Sequence, residues 1–178
     1  MKHYTVGFLF SDDLKHILLI QKNRPEWQKG KLNGVGGHIE ENETPKDCMI
    51  REFKEETGLI IYNWDLFATL KNNDNWIVHF YKAISDDIHK SVNKTDEILF
   101  RILVDDISNN NVLENLKWLI PLALSNDNGK PLYIYERTID TCAGQLYLKP
   151  MSTKEEILAK QDQNIFKTVQ KEINSNEH

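Results

Sequence analysis

The sequence predicts an α/β (α+β) domain, and three observations carry that prediction. Two β-forming runs, 3–10 and 16–21, precede a strongly signalled helix at about 45–57. Three more apolar runs, 59–70, 75–84 and 98–104, follow that helix, and a second helical pattern covers 112–124. Strands on both sides of one capped helix, plus a later helix, make an α/β or α+β sandwich. The chain has 178 residues, enough for one sizeable core, with 40% hydrophobic and 28% charged residues.

In order along the chain, HYTVGFLF (3–10) alternates as a half-buried strand does, SDDLK (11–15) is turn material, and HILLIQ (16–21) is a buried strand, so the two form a hairpin. A loop over 22–32 carries the breakers Pro25 and Gly30. The glycine-dense run NGVGGHI (33–39) suits close approach of backbone to a ligand or to the helix that follows. Thr44 can cap that helix, Pro45 suits its first position, Asp47 complements its dipole, and Gly58 suits a left-handed stop. Residues 71–74 read as a turn between strands, and Leu113, Leu116, Leu119, Ile120 and Ala123 keep helical spacing. PLYIYER and GQLYL, within 131–148, are short β-like runs.

The domain is expected to cover 1–150. Residues 151–178 read as a C-terminal helical extension, with a capping box at Ser152–Thr153–Lys154–Glu155 and an apolar arc through Leu158, Ile165, Phe166, Val169 and Ile173. That arc packs on its own domain or on a second copy in a homodimer.

The net charge of −5 argues against binding long nucleic acids, which needs clustered Lys and Arg, but not against nucleotides. Cys48 and Cys142 are the two cysteines, too few for a disulfide framework, so a reducing, cytoplasmic setting is expected. The first residues lack a long apolar run and a small-residue cleavage site, so neither a signal peptide nor a membrane span is expected.

Helical geometry places Met49, Ile50, Phe53 and Thr57 on one stripe and Glu52, Glu55 and Glu56 on an adjoining arc. Like charges at i, i+3 and i+4 cost a few tenths of a kcal/mol per pair. A divalent, oxygen-loving cation turns that repulsion into binding, and Mg²⁺ or Mn²⁺ fits. The alternative is a solvated acidic face.

The spacing goes further than the acids. Gly37, Glu43, Arg51, Glu52, Phe53, Glu55, Glu56, Gly58 and Leu59 occupy every fixed position of a 23-residue pattern, and the stretch closely resembles the box of the Nudix family. Phe53 is bulkier than the usual aliphatic residue there. The resemblance implies a mixed sheet between helices and hydrolysis of a nucleoside diphosphate linked to some group X. It implies Glu52, Glu55 and Glu56 as catalytic, metal-binding carboxylates, with Glu52 alternatively the base that deprotonates water. Arg51, within the same catalytic set, is expected to pair with a box carboxylate, Glu43 to support the site, and the Gly37 carbonyl to complete the metal sphere. Glu97, in the polar turn before 98–104, is a further catalytic or metal-binding acid, the alternative being a surface turn.

Residues 30–38 are similar to the segment before the box in MutT-type and human-type oxidised-purine triphosphatases. The similarity implies Asn33 on the base, the alternative being a turn residue, and Trp27 packed near it, the alternative being an anchor on the core. An amide can hydrogen-bond a purine edge and an indole can stack on it. Trp118, Glu114 and Asn115 stand where the human-type enzymes read the base, with Asn115 replacing the second of two acids. His38 is a candidate for facing phosphate. The activity this implies is a Mg²⁺-dependent pyrophosphohydrolase of purine or oxidised-purine nucleoside triphosphates. The alternatives are the same chemistry on ADP-ribose, a dinucleotide or an RNA 5′ end, and a nucleotide sensor without catalysis.

Overall fold

The computed structural model describes residues 1–72, 75–126, 129–138 and 144–150. The expected helical extension, 151–178, and its packing on the domain or on a second copy lie outside the described residues, as does Cys142.

Among the described residues, eight strands form one mixed, open sheet: β1 Lys2–Phe10, β2 His16–Gln21, β3 Leu32–Asn33, β4 Asp65–Asn72, β5 Trp76–Ile84, β6 Ile98–Leu103, β7 Leu132–Thr138 and β8 Gly144–Pro150. Their spatial order is β3-β2-β1-β5-β4-β7-β8, with β6 also on β2. β1 runs parallel to β5, and β4 parallel to β7; the other pairs are antiparallel. The helices are α1 Pro45–Thr57 and α2 Leu116–Ser125, and short 3₁₀ turns lie at Asp86–Lys90 and Val104–Asn109.

The alternation read from the sequence sorts side chains onto the two faces of the sheet. Phe8, Phe10, Ile17 and Leu19 meet Leu116, Leu119, Ile120 and Ala123 of α2. Their neighbours Leu9, Leu18 and Ile20 meet Met49 and Phe53 of α1, closed over by Ile61 and Trp64. A one-residue slip of β1 or β2 would exchange those sets, so the two cores pin the register.

Two boundaries differ from expectation. The strand expected over 59–70 begins at Asp65, because residues 59–64 round the end of α1 and plant Ile61 and Trp64, three positions apart, in the α1-side core. The helix expected over 112–124 begins at Leu116. Its first turn is pre-empted by β3: Leu32 N–H donates to Asn111 O at 2.8 Å and Leu113 N–H to Leu32 O at 3.0 Å. Val112 and Leu113 are buried all the same, so their apolar spacing belongs to the core rather than to a helix.

Phe53 is fully buried and meets Trp64 edge-on, ring centroids 4.9 Å apart. Phe53→Ala should cost about 3–5 kcal/mol of stability. Urea unfolding followed by fluorescence checks this; a loss below about 1 kcal/mol would mean that α1 is not held by this contact.

Candidate active site

α1 is built as its ends require. Thr44 Oγ1 accepts the Asp47 N–H at 3.1 Å, Pro45 takes the first turn, and Gly58 stops the helix at φ 75° with its N–H on Lys54 O at 2.9 Å. With Met49, Phe53 and Thr57 buried, the three glutamates fall along the rim where α1 meets the 33–39 loop. Side-chain exposure is 12% for Glu56, 17% for Glu52 and 57% for Glu55, so the row runs from a shielded pair to a solvated end.

Gly37 makes room for Glu52. A Cβ at Gly37 would stand 2.4 Å from the Glu52 carboxyl, so a side chain there would displace the acid. The Gly37 carbonyl accepts the Thr5 N–H at 2.9 Å, which spends one lone pair on the sheet and leaves one.

Arg51 organises the acids around it. Its Nε and Nη2 donate to the two oxygens of Glu43 at 2.8 and 2.9 Å, a bidentate pair. Nη1 donates to Glu52 at 2.7 Å and to Glu55 at 3.3 Å, and Nη2 also reaches the His38 carbonyl at 3.2 Å. The Arg51 hydrogen bonds hold the Glu43 carboxyl down at about 2 and push the guanidinium itself further up. Arg51 thus pairs with Glu43, Glu52 and Glu55 at once.

Glu56 is different. Burial is the main cause that pushes its carboxyl up to about 7, against the opposing pull of Lys22 and with the neighbouring charges of Glu97 and Glu52 adding to the rise. Its oxygens accept the Gly36 N–H at 3.3 Å and face the Lys22 ammonium at 4.0 Å. Glu97, 5% exposed, is no surface-turn residue: it accepts from Lys22 Nζ at 2.5 Å and from the Asn23 N–H at 2.9 Å. Lys22 thus links an acid of α1 to the acid that precedes β6.

A family model described as "NUDIX domain" matches residues 1–121, about two thirds of the chain. The chain belongs to the Nudix family. It is a hydrolase of the pyrophosphohydrolase type, in a family that generally uses divalent metal ions. A mutator MutT protein from Bacillus halodurans has a similar fold, with TM-score 0.63 and 20% identity over 85% of this chain and 100% of that one. A NUDIX-family hydrolase from Clostridium perfringens gives 0.57 and 24% identity over 69% and 95% of the two chains. The NUDIX domain of Shewanella oneidensis NrtR, in complex with ADP ribose, gives 0.54 and 17% identity over 68% and 85%. At these identities the likeness is one of fold. Among the described residues, no helix is long and apolar enough to cross a membrane.

The Nudix acids are all oxygen donors, which suits a hard divalent cation. Among the described residues, however, no three acid, His or Cys side chains are already gathered closely enough to hold one. The carboxylates repel one another, and each is drawn to Arg51 or Lys22. Glu55 is solvated enough to turn, and Glu52, Glu56 and Glu97 need only exchange one cationic partner for another, so the residues fit the group.

The base-side residues are less collected. Asn33 Oδ1 accepts the Gly34 N–H at 2.8 Å, which is the turn role weighed as its alternative. Trp27 is 65% exposed and belongs to neither core cluster, so it is not a core anchor. Trp118 is half-buried against the α2-side core, Glu114 is exposed and pairs with Lys117 at 3.0 Å, and Asn115 immediately precedes α2. The Leu32–Val112 bridge brings the Asn33 and Glu114 segments side by side. His38 is exposed and meets Tyr4 edge-on, while its carbonyl serves Arg51.

Lys22, Asn23 and the partly buried Trp76 and Val78 did not stand out in the sequence. The signal for Lys22 was positional: it follows β2 directly as Glu97 precedes β6, but only the pairing of those strands makes them face.

A carboxyl held near 7 when folded and near 4.5 when unfolded binds more protons in the native state between those values. Its contribution to stability is therefore present below about 4.5 and is lost as pH rises to about 7. Thermal melts in chelator across that range should show Glu56→Gln losing this part of the pH slope. Parallel profiles for wild type and variant would contradict the assignment.

Proposed function

We propose that this Nudix hydrolase cleaves purine or oxidised-purine nucleoside triphosphates to the monophosphate and pyrophosphate, using Mg²⁺, with Mn²⁺ as a substitute. The observation that carries the reading is the placement of two features at the ends of one short loop. Glu52 lies over Gly37, and four residues back Asn33 enters the loop beside the 111–115 segment. Val6, Trp76, Val78, Trp118 and Leu132 are partly buried against the α2-side core and keep some apolar area open to solvent, suited to the face of a base. Exposed Trp27 is a further stacking group.

In this reading Glu52, Glu55, Glu56 and Glu97 would hold the metal, with the remaining Gly37 lone pair as a backbone donor. When bound, the metal neutralises the polyphosphate and activates water. The chain does the rest. Arg51 keeps Glu52 and Glu55 oriented, and Gly37 lets Glu52 lie close to the loop. A water oxygen bonds to phosphorus, the bridging P–O bond breaks, pyrophosphate departs with the electron pair, and a carboxylate takes the water proton. We assign that last task to Glu52, which lies against Gly37 and is oriented by Arg51. The missing second acid at Asn115 and the tie of Glu114 to Lys117 favour a site that accepts ordinary purines beside oxidised ones.

The test is product analysis on a panel with Mg²⁺: purine, oxidised-purine and pyrimidine triphosphates, ADP-ribose and a dinucleotide. Pyrophosphate release from purine triphosphates is expected. Preferential turnover of ADP-ribose would replace this substrate and keep the site. Glu52→Gln should lower kcat by about 10²–10⁴-fold with the fold intact, and Glu55→Gln and Glu56→Gln should also fall by orders of magnitude. Asn33→Ala should raise KM about five- to tenfold for purines, the worth of one hydrogen bond, and leave pyrimidines less affected. An equal rise for both would remove Asn33 from base reading.

A further inference from the structure

The acids of the site are not waiting as free anions. β2 and β6 pair antiparallel with Gln21 opposite Ile98, so the next residues outward, Lys22 and Glu97, face each other across the end of the ladder. The Lys22 ammonium lies 2.5 Å from Glu97 Oε2 and 4.0 Å from Glu56 Oε1. All three side chains are shielded, with exposures of 15% for Lys22, 6% for Glu97 and 12% for Glu56. Asn23 fixes the arrangement from the other side: its N–H takes Glu97 Oε1 at 2.9 Å, and its Nδ2 takes the Asp96 carbonyl at 2.8 Å and the Asp96 carboxylate at 3.3 Å.

One cation thus sits between carboxylates from two separate elements, which is the arrangement a divalent ion would need. Two largely shielded carboxylates facing each other without a cation would be strongly unfavourable. A lysine suits the role because its charge is compact and its stem flexible, so it can hold a pair of acids and still withdraw.

We propose that Lys22 is a built-in counter-ion for Glu56 and Glu97. It holds the two acids together in the metal-free protein, and it has to leave them when a divalent cation binds. Lys22 is a positioning residue here, acting through the acids, and the inference rests on the assignment of Glu56 and Glu97 to the metal. The built-in charge competes with the incoming one, so it sets how tightly the site takes its metal.

The experiment is Mn²⁺ binding to the full chain without nucleotide, followed by electron paramagnetic resonance. Lys22→Met should bind Mn²⁺ about three- to tenfold more tightly than wild type, and it should melt lower in chelator. Lys22→Arg should stay near wild type. Lys54→Met, which removes a charge near Glu55 but not between Glu56 and Glu97, should change affinity much less. Unchanged or weaker binding by Lys22→Met, or an equal gain in Lys54→Met, overturns the proposal. Wild type serves where a variant fails to fold: acetylation of Lys22, read by mass spectrometry, should be slow in chelator and faster with Mn²⁺, and an unchanged rate overturns the proposal. Mn²⁺ binding that Glu56→Gln leaves untouched would instead show that the metal site is elsewhere. That removes the underlying assignment and this inference with it, a result distinct from a Glu56-dependent site indifferent to Lys22.

Discussion

Crowded negative charge is the constraint around which this molecule is arranged. Glu52, Glu55 and Glu56 repel one another along one edge of α1, and Glu97 adds a fourth charge from the sheet. Two cations offset that repulsion from opposite ends. Arg51 spreads a planar fork of donors over Glu43, Glu52 and Glu55, and Lys22 places a single point of charge between Glu56 and Glu97. The division matters chemically. The Arg51 end is a planar fork, always charged and partly solvated, whereas the Lys22 end is a shielded point charge on a flexible stem.

The scaffold makes this possible by fixing α1, the β2–β6 ladder and the 33–39 loop against one another. α1 is seated on the sheet through Met49 and Phe53, which sets the angle of its acidic edge. The β2–β6 ladder delivers Lys22 and Glu97 together from positions 75 residues apart. The 33–39 loop then runs beneath Glu52, tied to β1 by the Thr5–Gly37 and Gly7–Val35 hydrogen bonds. The same loop begins at Asn33, which the Leu32–Val112 bridge sets beside the segment that leads into α2. Nudix membership supplies the reaction class.

Much of this was legible in advance because it is local. The ends of α1 depend on Thr44, Pro45 and Gly58, which act within a turn or two, and the structure places the helix at the expected residues. The acidic arc follows from 3.6 residues per turn, and the inward sets of β1 and β2 follow from a period of two. The two misplaced boundaries have a common cause. Ile61, Trp64, Val112 and Leu113 are apolar because the core takes them, and apolar spacing alone does not say whether the backbone beneath is strand, helix or neither. At 111–113 the backbone groups that a helix would have used are taken by Leu32, a partner 80 residues away.

By itself, then, the sequence determined the capped helix, its row of carboxylates and the spacing that marks the family, because each rests on contacts between near neighbours. It also determined that Arg51 would pair with an acid, since box acids surround it on the same helix. Only the tertiary structure decided that Glu97 is buried rather than a surface turn, that Lys22 stands between it and Glu56, and that Trp27 is exposed while Trp76 packs against the α2-side core. Those facts depend on which strands pair and in what register. That is settled by the joint packing of two cores on opposite faces of one sheet, a condition that no short window of residues contains.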